Sequence, residues 1–305
     1  MYKPISVCLP VYNEERAIGN TIDSILAQDF KGEMEILVCA NGCTDKTEEI
    51  VRGYAGRHNN ITLISTSQKG KPNAWNILQA RASHNYRVYG DGDVFIDKEA
   101  FSNIYDALES YNVCAVGARV LPLYENLDFL TKLFTVRGGL QQCLVGRLYG
   151  FDNQKLTERM ELSGFQKMPE HVVHEDLWLS QAIGNSQWII ANDAKVYFTP
   201  YSWREYYKMA KRHFRAEKQI EESYPELYEE YIKGPRLSLC KARANKIQEC
   251  KSIMELILLF AGFPVRKAMM YAAKKSAKKE TFANPLDAWE ISEYSKVLLV
   301  PDKLD

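Results

Sequence analysis

Residues 86–97 read YRVYGDGDVFID: an apolar-leaning run over 86–89 closes on Gly90, and two carboxylates, Asp91 and Asp93, follow one residue apart. Acids crowded at the end of a buried strand repel one another and resist desolvation, so the pair calls for a cation. A divalent ion with oxygen ligands meets that need. Mg2+ or Mn2+ neutralises the carboxylates and fills its shell with water and phosphate oxygens. Gly92 between them permits close backbone approach. The alternative is a strand-ending turn with both acids solvated, and an isolated Asp-x-Asp does not choose between the two.

The neighbouring sequence supplies a frame. A β-rich run at 5–9 stops at Pro10, and Ala17, Ile18, Ile22, Ile25 and Leu26 then recur at helical spacing within 14–28. A second buried strand at 35–39 meets the turn formers Asn41-Gly42, followed by a helix over 44–54 with Thr44 or Asp45 as its cap. A third strand at 61–64, a polar loop containing KGKPN, a helix over 74–82 and the strand at 86–89 continue the alternation, which a helix at 97–111 and a strand at 113–120 extend. Such alternation predicts an α/β fold: right-handed β-α-β units building a mainly parallel, Rossmann-like sheet with helices on both faces. Ligands of these sheets sit beyond the carboxyl ends of the strands. PVYNEE, ANGCTD and GDGD all fall there, so separate loops converge on one cleft. Residues 121–168 lack a clean period and are expected to form a helix plus a loop over the cleft. A helix with an acidic first turn is expected at 175–183, then two closing strands at 186–190 and 195–198. Past Pro200 the chain turns helical, which divides it into an α/β domain at 1–200 and a mainly helical C-terminal region at 201–305.

Composition limits the partners. With 39 basic and 39 acidic residues among 305, the net charge is zero, and bulk electrostatics favour no nucleic acid. Seven cysteines without a C-x-x-C pair read as reduced core residues of a cytoplasmic protein. The opening MYKPISVCLPVYNEE carries no export signature and reads as a first strand. Charge is uneven locally: residues 234–280 hold eleven Lys or Arg against three Glu. Inside that region IMELILLFAGFPV, residues 253–265, is shorter than the roughly 20 apolar residues of a membrane span and is interrupted by Glu255. Segment 253–279 permits peripheral contact with an anionic membrane. It equally permits an ordinary helix packed on the sheet domain with solvated lysines, the reading preferred on sequence.

Five stretches then stand in a telling order: PVYNEE (10–15), ANGCTDKT (40–47), KGKPNAWN (69–76), DGDV (91–94) and HEDLWLS (174–180). Over about the first two hundred residues the chain resembles family-two glycosyltransferases, which have the nucleotide-diphospho-sugar-dependent GT-A fold. The resemblance implies a first loop, with Pro10, Tyr12 and Glu14, that lines the nucleoside: Tyr12 by the base, Glu14 by the ribose hydroxyls. Where the family carries an acidic pair this chain has Ala40 and Asn41; Asn41 offers a carbonyl and an amide to a base, uridine first and guanosine as the alternative. Lys69 and Lys71 flank Gly70 where an ammonium reaches a phosphate. Asn76 matches a helical asparagine, and Asp45 keeps the role of a cap.

By the same resemblance Asp176 is the general base, taking the acceptor proton on the face opposite the leaving diphosphate, and Glu175 shapes the acceptor side. The competing role for both is stabilising the first turn of their helix. Arg212-His213-Phe214-Arg215-Ala216 stands where membrane polymer synthases of the family have Gln-x-x-Arg-Trp, and losing the glutamine and tryptophan points to transfer of a single sugar. Arg212 and Arg215, at i and i+3, are expected on the diphosphate, and His213 as a third metal ligand beside Asp91 and Asp93. His171 and His174 lack a third close partner for zinc. The expected activity is inverting transfer from a UDP-sugar, helped by Mn2+ or Mg2+, to a lipid-linked, glycan, peptide or small-molecule acceptor. The rivals are a sugar nucleotidyltransferase, which wants a basic Gly-rich first loop where PVYNEE is acidic, and a nucleotide-sugar-binding protein without turnover.

Overall fold

The strand β1 (Ile5–Val11) is buried at every position, the pattern of a strand covered by helices on both faces. In the computed structural model, which describes residues 2–123, 131, 144–233 and 253–279, β1 lies at the centre of one sheet. It pairs in parallel with β2 (Met34–Asn41) and with β4 (Tyr86–Gly90), and β2 pairs in parallel with β3 (Ile61–Thr66). Side chains alternate across this sheet. Ile5, Val7, Leu9 and Val11 meet α1 (Ile18–Leu26), α2 (Thr47–Ala55) and α4 (Ala100–Ser110) through Ile22, Val51 and Phe101. Cys8, Cys39 and Tyr89 face the other way, onto Trp75 and Leu78 of α3 (Lys71–Arg81). β5 (Val94–Ile96) follows the Asp-Gly-Asp turn.

The second half departs from the expected parallel pattern. Beyond β4 lies β7 (Leu148–Asp152), antiparallel both to β4 and to β6 (Ala115–Pro122); β6 pairs in parallel with β8 (Trp188–Phe198), whose far end takes β5 antiparallel. The described sheet is therefore mixed, in the order β3-β2-β1-β4-β7-β6-β8-β5. The strands expected separately at 186–190 and 195–198 are one: the register against β6 jumps from Ala191 to Lys195 between Ala118 and Arg119, an irregularity that bends β8 without ending it. Within 121–168 the described residues hold β7 and α5 (Asn153–Leu162), whose first turn is capped by Asp152; the loop expected over the cleft falls largely on 124–143, outside the described residues except Thr131.

The helix starts of α1, α2 and α4 fall later than the sequence suggested, and that of α3 falls earlier, at Lys71. Asn13 takes a left-handed φ of 53°, and the Glu14 carbonyl accepts from Ala17 and Ile18, so α1 begins only at Ile18. Asp45 works from one residue before the cap position, Lys46, and accepts from the Thr47 amide at 3.0 Å. The C-terminal region opens with α7 (Trp203–Ser223), started by a Ser202–Glu205 capping box, and continues with α8 (Pro225–Lys233) and α9 (Ile253–Lys279). Helix α6 (Glu175–Ile183) and α7 close the second core, Trp178 and Ile220 joining Trp75 and Phe151. Among the described residues no helix is long and apolar enough to cross a membrane.

At the amino end of the sheet Glu35 accepts from the Ser6 hydroxyl at 2.5 Å, the Ser83 amide at 2.6 Å and the Ser83 hydroxyl at 3.1 Å. Burial pushes its carboxyl up, but these bonds outweigh burial and hold it below the usual range. A depressed carboxyl contributes stability above its unfolded pKa and loses it as pH falls through the folded one. Glu35→Gln is therefore expected to cost about 1 kcal/mol near neutral pH, a figure already reduced for partial solvent screening. The difference from wild type should shrink below about pH 4; urea unfolding at the two pH values checks it.

Candidate active site

Three element ends meet at one point. Lys71 is the first residue of α3, set there by Gly70, whose φ of 126° suits glycine. Its ammonium lies 2.6 Å from Asp91 Oδ1, just past β4, and 2.5 Å from Glu175 Oε1 in the first turn of α6. Burial works against that charge, but Asp91, Glu175 and Asp176 more than compensate and raise the Lys71 pKa well above its usual value. Lys71 is therefore a fixed cation at physiological pH.

Asp176 sits beside this bridge, 5% exposed. Its Oδ2 accepts from the Gly146 amide at 2.8 Å, while Oδ1 accepts from the Leu177 amide and contacts His174 Nδ1. Burial pushes the carboxyl up; the His174 ring, Lys71 and the Gly146 amide overcome that and hold it well below the carboxylate range. Gly146 is needed for close approach: a Cβ there would stand 2.9 Å from both Glu175 Oε1 and Lys71 Nζ. Its neighbour Arg147, buried, stacks its guanidinium 3.9 Å from the Phe198 ring centroid and donates to Tyr201 Oη at 2.9 Å. Burial disfavours this charge too, but Tyr201, Asp93 and Asp91 raise its pKa, which places Arg147 at the Asp-Gly-Asp turn. The Asp91 amide donates to the Arg147 carbonyl at 3.2 Å.

The loops after β1 and β2 are stitched to this centre. Asn41, almost wholly buried, donates from Nδ2 to the Val11 carbonyl at 2.7 Å and accepts at Oδ1 from the Gly70 amide at 3.1 Å. Its carbonyl and amide, expected to face a nucleobase, are thus engaged within the chain, where they tie the ends of β1 and β2 to the start of α3. Tyr12 and Lys69 pair with each other at the rim, Nζ to Oη at 3.1 Å. Glu14 packs by Gly92, where a Cβ would come within 3.1 Å of Glu14 Cγ, and Pro10 lies in β1 beside Cys39. Asn76 anchors the backbone of Met168 through both ends of its amide.

On α7, His213 packs edge-on against His174 with ring centroids 5.7 Å apart. Burial, helped by His174, lowers its pKa to about 4, so the ring is neutral at pH 7. Arg212 and Arg215 flank it, both partly buried. Among the described residues no three His, Cys, Asp or Glu side chains gather in metal-binding geometry; the structure does not bring His213 to Asp91 and Asp93 as a third ligand. The aspartate pair nonetheless fits a hard dication, because such ions are held by one or two carboxylates with phosphate oxygens and water. Four carboxylates, Asp91, Asp93, Glu175 and Asp176, stand about two fixed cations, Lys71 and Arg147. Arg147 is the residue that the sequence did not disclose. It lies in an aperiodic stretch, and its one signal is the alternation of LYGFD just after it.

The strand order and a polar cleft at the strand carboxyl ends define a nucleotide-sugar-type GT-A fold. The family model for glycosyl transferase family 2 matches residues 6–162, and the chain belongs to that family. Glycosyltransferase GlyA of Streptococcus pneumoniae serotype 4 is 32% identical over 114 residues, 37% of this chain and 16% of that protein. The matched span is between 16% and 41% of the length of such curated relatives, the upper figure for glycosyltransferase AglE of Haloferax volcanii, 30% identical over 40% of this chain. Among solved structures, the mannosyltransferase PcManGT from Pyrobaculum calidifontis in complex with GDP-Man and Mn2+ has a TM-score of 0.59 at 20% identity, covering 90% of this chain and 88% of that one.

The bridge generates a test. Lys71→Met leaves Asp91 and Glu175 without their buried cation and is expected to cost about 3 kcal/mol. Paired with Glu175→Gln, the double variant should recover at least about 1 kcal/mol relative to the sum of the singles, measured by urea unfolding.

Proposed function

We propose that the chain is an inverting glycosyltransferase that moves one sugar from a nucleotide-diphospho-sugar, a UDP-sugar first, to an acceptor hydroxyl, with residues 1–200 as the catalytic unit and 201–305 packed on it. The observation that carries this reading is the meeting of Lys71, Asp91 and Glu175 at 2.5–2.6 Å. It gathers the phosphate-facing loop, the Asp-Gly-Asp turn and the acid pair into one site. Support for the donor comes from fold relatives solved with nucleotide sugars: PcManGT with GDP-Man, and Staphylococcus aureus TarS 1-349 with UDP-GlcNAc, at 14% identity and a TM-score of 0.54 over 92% of this chain and 93% of that one.

The roles follow from charge and reach. Tyr12 and Glu14 line the nucleoside, and Lys69, Lys71, Arg147, Arg212 and Arg215 supply cations for the diphosphate. Asp91 and Asp93 would hold Mn2+ or Mg2+, which when bound offsets the charge developing on the leaving diphosphate. The acceptor oxygen forms a bond to the anomeric carbon on the face opposite the leaving group; the bond from that carbon to the diphosphate oxygen breaks, and the acceptor proton passes to Asp176. His174 and the Gly146 amide keep Asp176 ionised and fixed in direction, so every molecule of enzyme holds the base in its proton-accepting form. A depressed pKa weakens a base, so the proton must leave late, after the C–O bond is largely formed and the attacking hydroxyl has become acidic. Glu175, held by Lys71, borders the acceptor side.

Asp176→Asn is expected to lower kcat for transfer by about 10³-fold while the affinity for UDP with Mn2+, read by calorimetry, stays within about threefold, less than 1 kcal/mol. Transfer at the wild-type rate would remove Asp176 as the base. UDP with Mn2+ should raise the melting temperature more than GDP with Mn2+ does; the reverse order would assign a guanosine donor.

A further inference from the structure

Helix α9 has two unlike sides. Leu258, Gly262, Ala273 and Ala277 are buried in a row at helical spacing and pack on α7: Arg266 lies by Tyr206, and Lys274 sits 5.5 Å from the Phe214 ring centroid. The two contacts advance together along both helices, so α9 runs parallel to α7. The opposite side carries Ile253, Ile257, Phe260, Pro264, Lys267, Tyr271 and Lys275, again one face of a helix, with Phe263 at its edge. These are exposed: Ile253 80%, Phe260 60% and Tyr271 70%. The first half of α9 is thus apolar on its outward side as well as its packed one, a pattern water does not favour. The second half turns basic, with six Lys or Arg against one Glu in the whole helix, in a chain of zero net charge.

We propose that this outward face docks on an anionic lipid membrane, with α9 lying in the interface, Ile253, Ile257, Phe260 and Phe263 among the acyl chains, and Lys267 and Lys275 on the headgroups. The charge selects this occupant. A second copy of the chain, packed face to face about a twofold axis, would set basic half on basic half or apolar half on basic half. An anionic interface satisfies both halves at once. Trp203, 43% exposed at the start of α7, stands level with Phe263 by the same register, where an amphipathic aromatic ring suits an interface. With α7 packed on α9 and carrying His213 against His174, docking would hold the site within about two helix diameters, ~20 Å, of the lipid. That places it within reach of a lipid-linked acceptor, a consequence that alone rests on the function proposed above.

Sedimentation of the full chain with phosphatidylcholine vesicles containing about a third phosphatidylglycerol tests the docking. The wild-type chain is expected in the pellet with these vesicles and in the supernatant with pure phosphatidylcholine, and binding should fall as salt rises. Ile257→Ser with Phe260→Ser should weaken binding by at least about tenfold, and Lys267→Gln with Lys275→Gln by about 30-fold. All four side chains are exposed, so the melting temperature should not move. Protein that stays in the supernatant with anionic vesicles overturns the proposal. So does a concentration-dependent dimer abolished by the serine variant, which would give the face to a second copy. Binding of UDP in solution reads the donor site separately, so either reading can fail without the other.

Discussion

The site depends on a lysine ammonium held between carboxylates that would not tolerate burial without it. Asp91 and the pair Glu175 and Asp176 come from segments some eighty residues apart; the pair is buried as the second core closes, and Asp91 stays partly exposed. Burying such charges costs several kcal/mol apiece unless partners replace the lost water. Lys71 supplies the positive charge and Gly146 a backbone amide. The N-terminus of α6, which carries both acids, adds the favourable end of its helix dipole. The same balance is a liability for folding alone, since an apolar cluster of equal volume would cost less to bury. Its retention makes sense for a site that must receive a polyanionic donor and release it.

Rigidity around this centre comes from hydrogen bonds between loops. Asn13 and Thr44, Glu15 and Asp45, and Glu14 and Thr47 join the loop after β1 to the loop after β2. Asn41 then joins both to Gly70, the residue before Lys71. A cation that must sit within a few tenths of an ångström of two carboxylates needs such bracing, because its own side chain has four rotatable bonds. The polar residues that punctuate the strand ends are thus divided between those that brace and those that face the cleft. Sequence type does not separate the two groups.

That division marks where the sequence could be read and where it could not. Strands buried on both faces announce themselves as continuous apolar runs, so β1, β2 and β4 and the clusters at their ends were legible, as was the acidic start of α6. Asn41 has the donors and acceptors to face a base; only tertiary contact shows that Nδ2 and Oδ1 each also hold a backbone partner. In sequence, His213 beside two arginines has the type of a ligand; in the fold its ring packs edge-on against His174, and among the described residues no three His, Cys, Asp or Glu side chains gather in metal-binding geometry. Strand β7 and Arg147 escaped because five residues of alternating aromatic and glycine character are stabilised by partners sixty residues away in β4, a contact that no local period encodes.

Helix α7, past residue 200, is tied closely to residues before it. Helix α7 begins beside Tyr201, which bonds Arg147, and passes His174 at His213. At Gln219 it grips the approach to the acid pair: Gln219 accepts from the Val173 amide at 2.9 Å and donates to the His171 carbonyl at 2.8 Å. Those two bonds fix the backbone immediately before His174, Glu175 and Asp176, and Ala216 and Ile220 fill the core beneath them. Displacing α7 would therefore loosen the carboxylates before it exposed much apolar surface. Since α9 packs on α7, a force applied there has a short mechanical route, two packed helices, to the residues proposed to carry the chemistry.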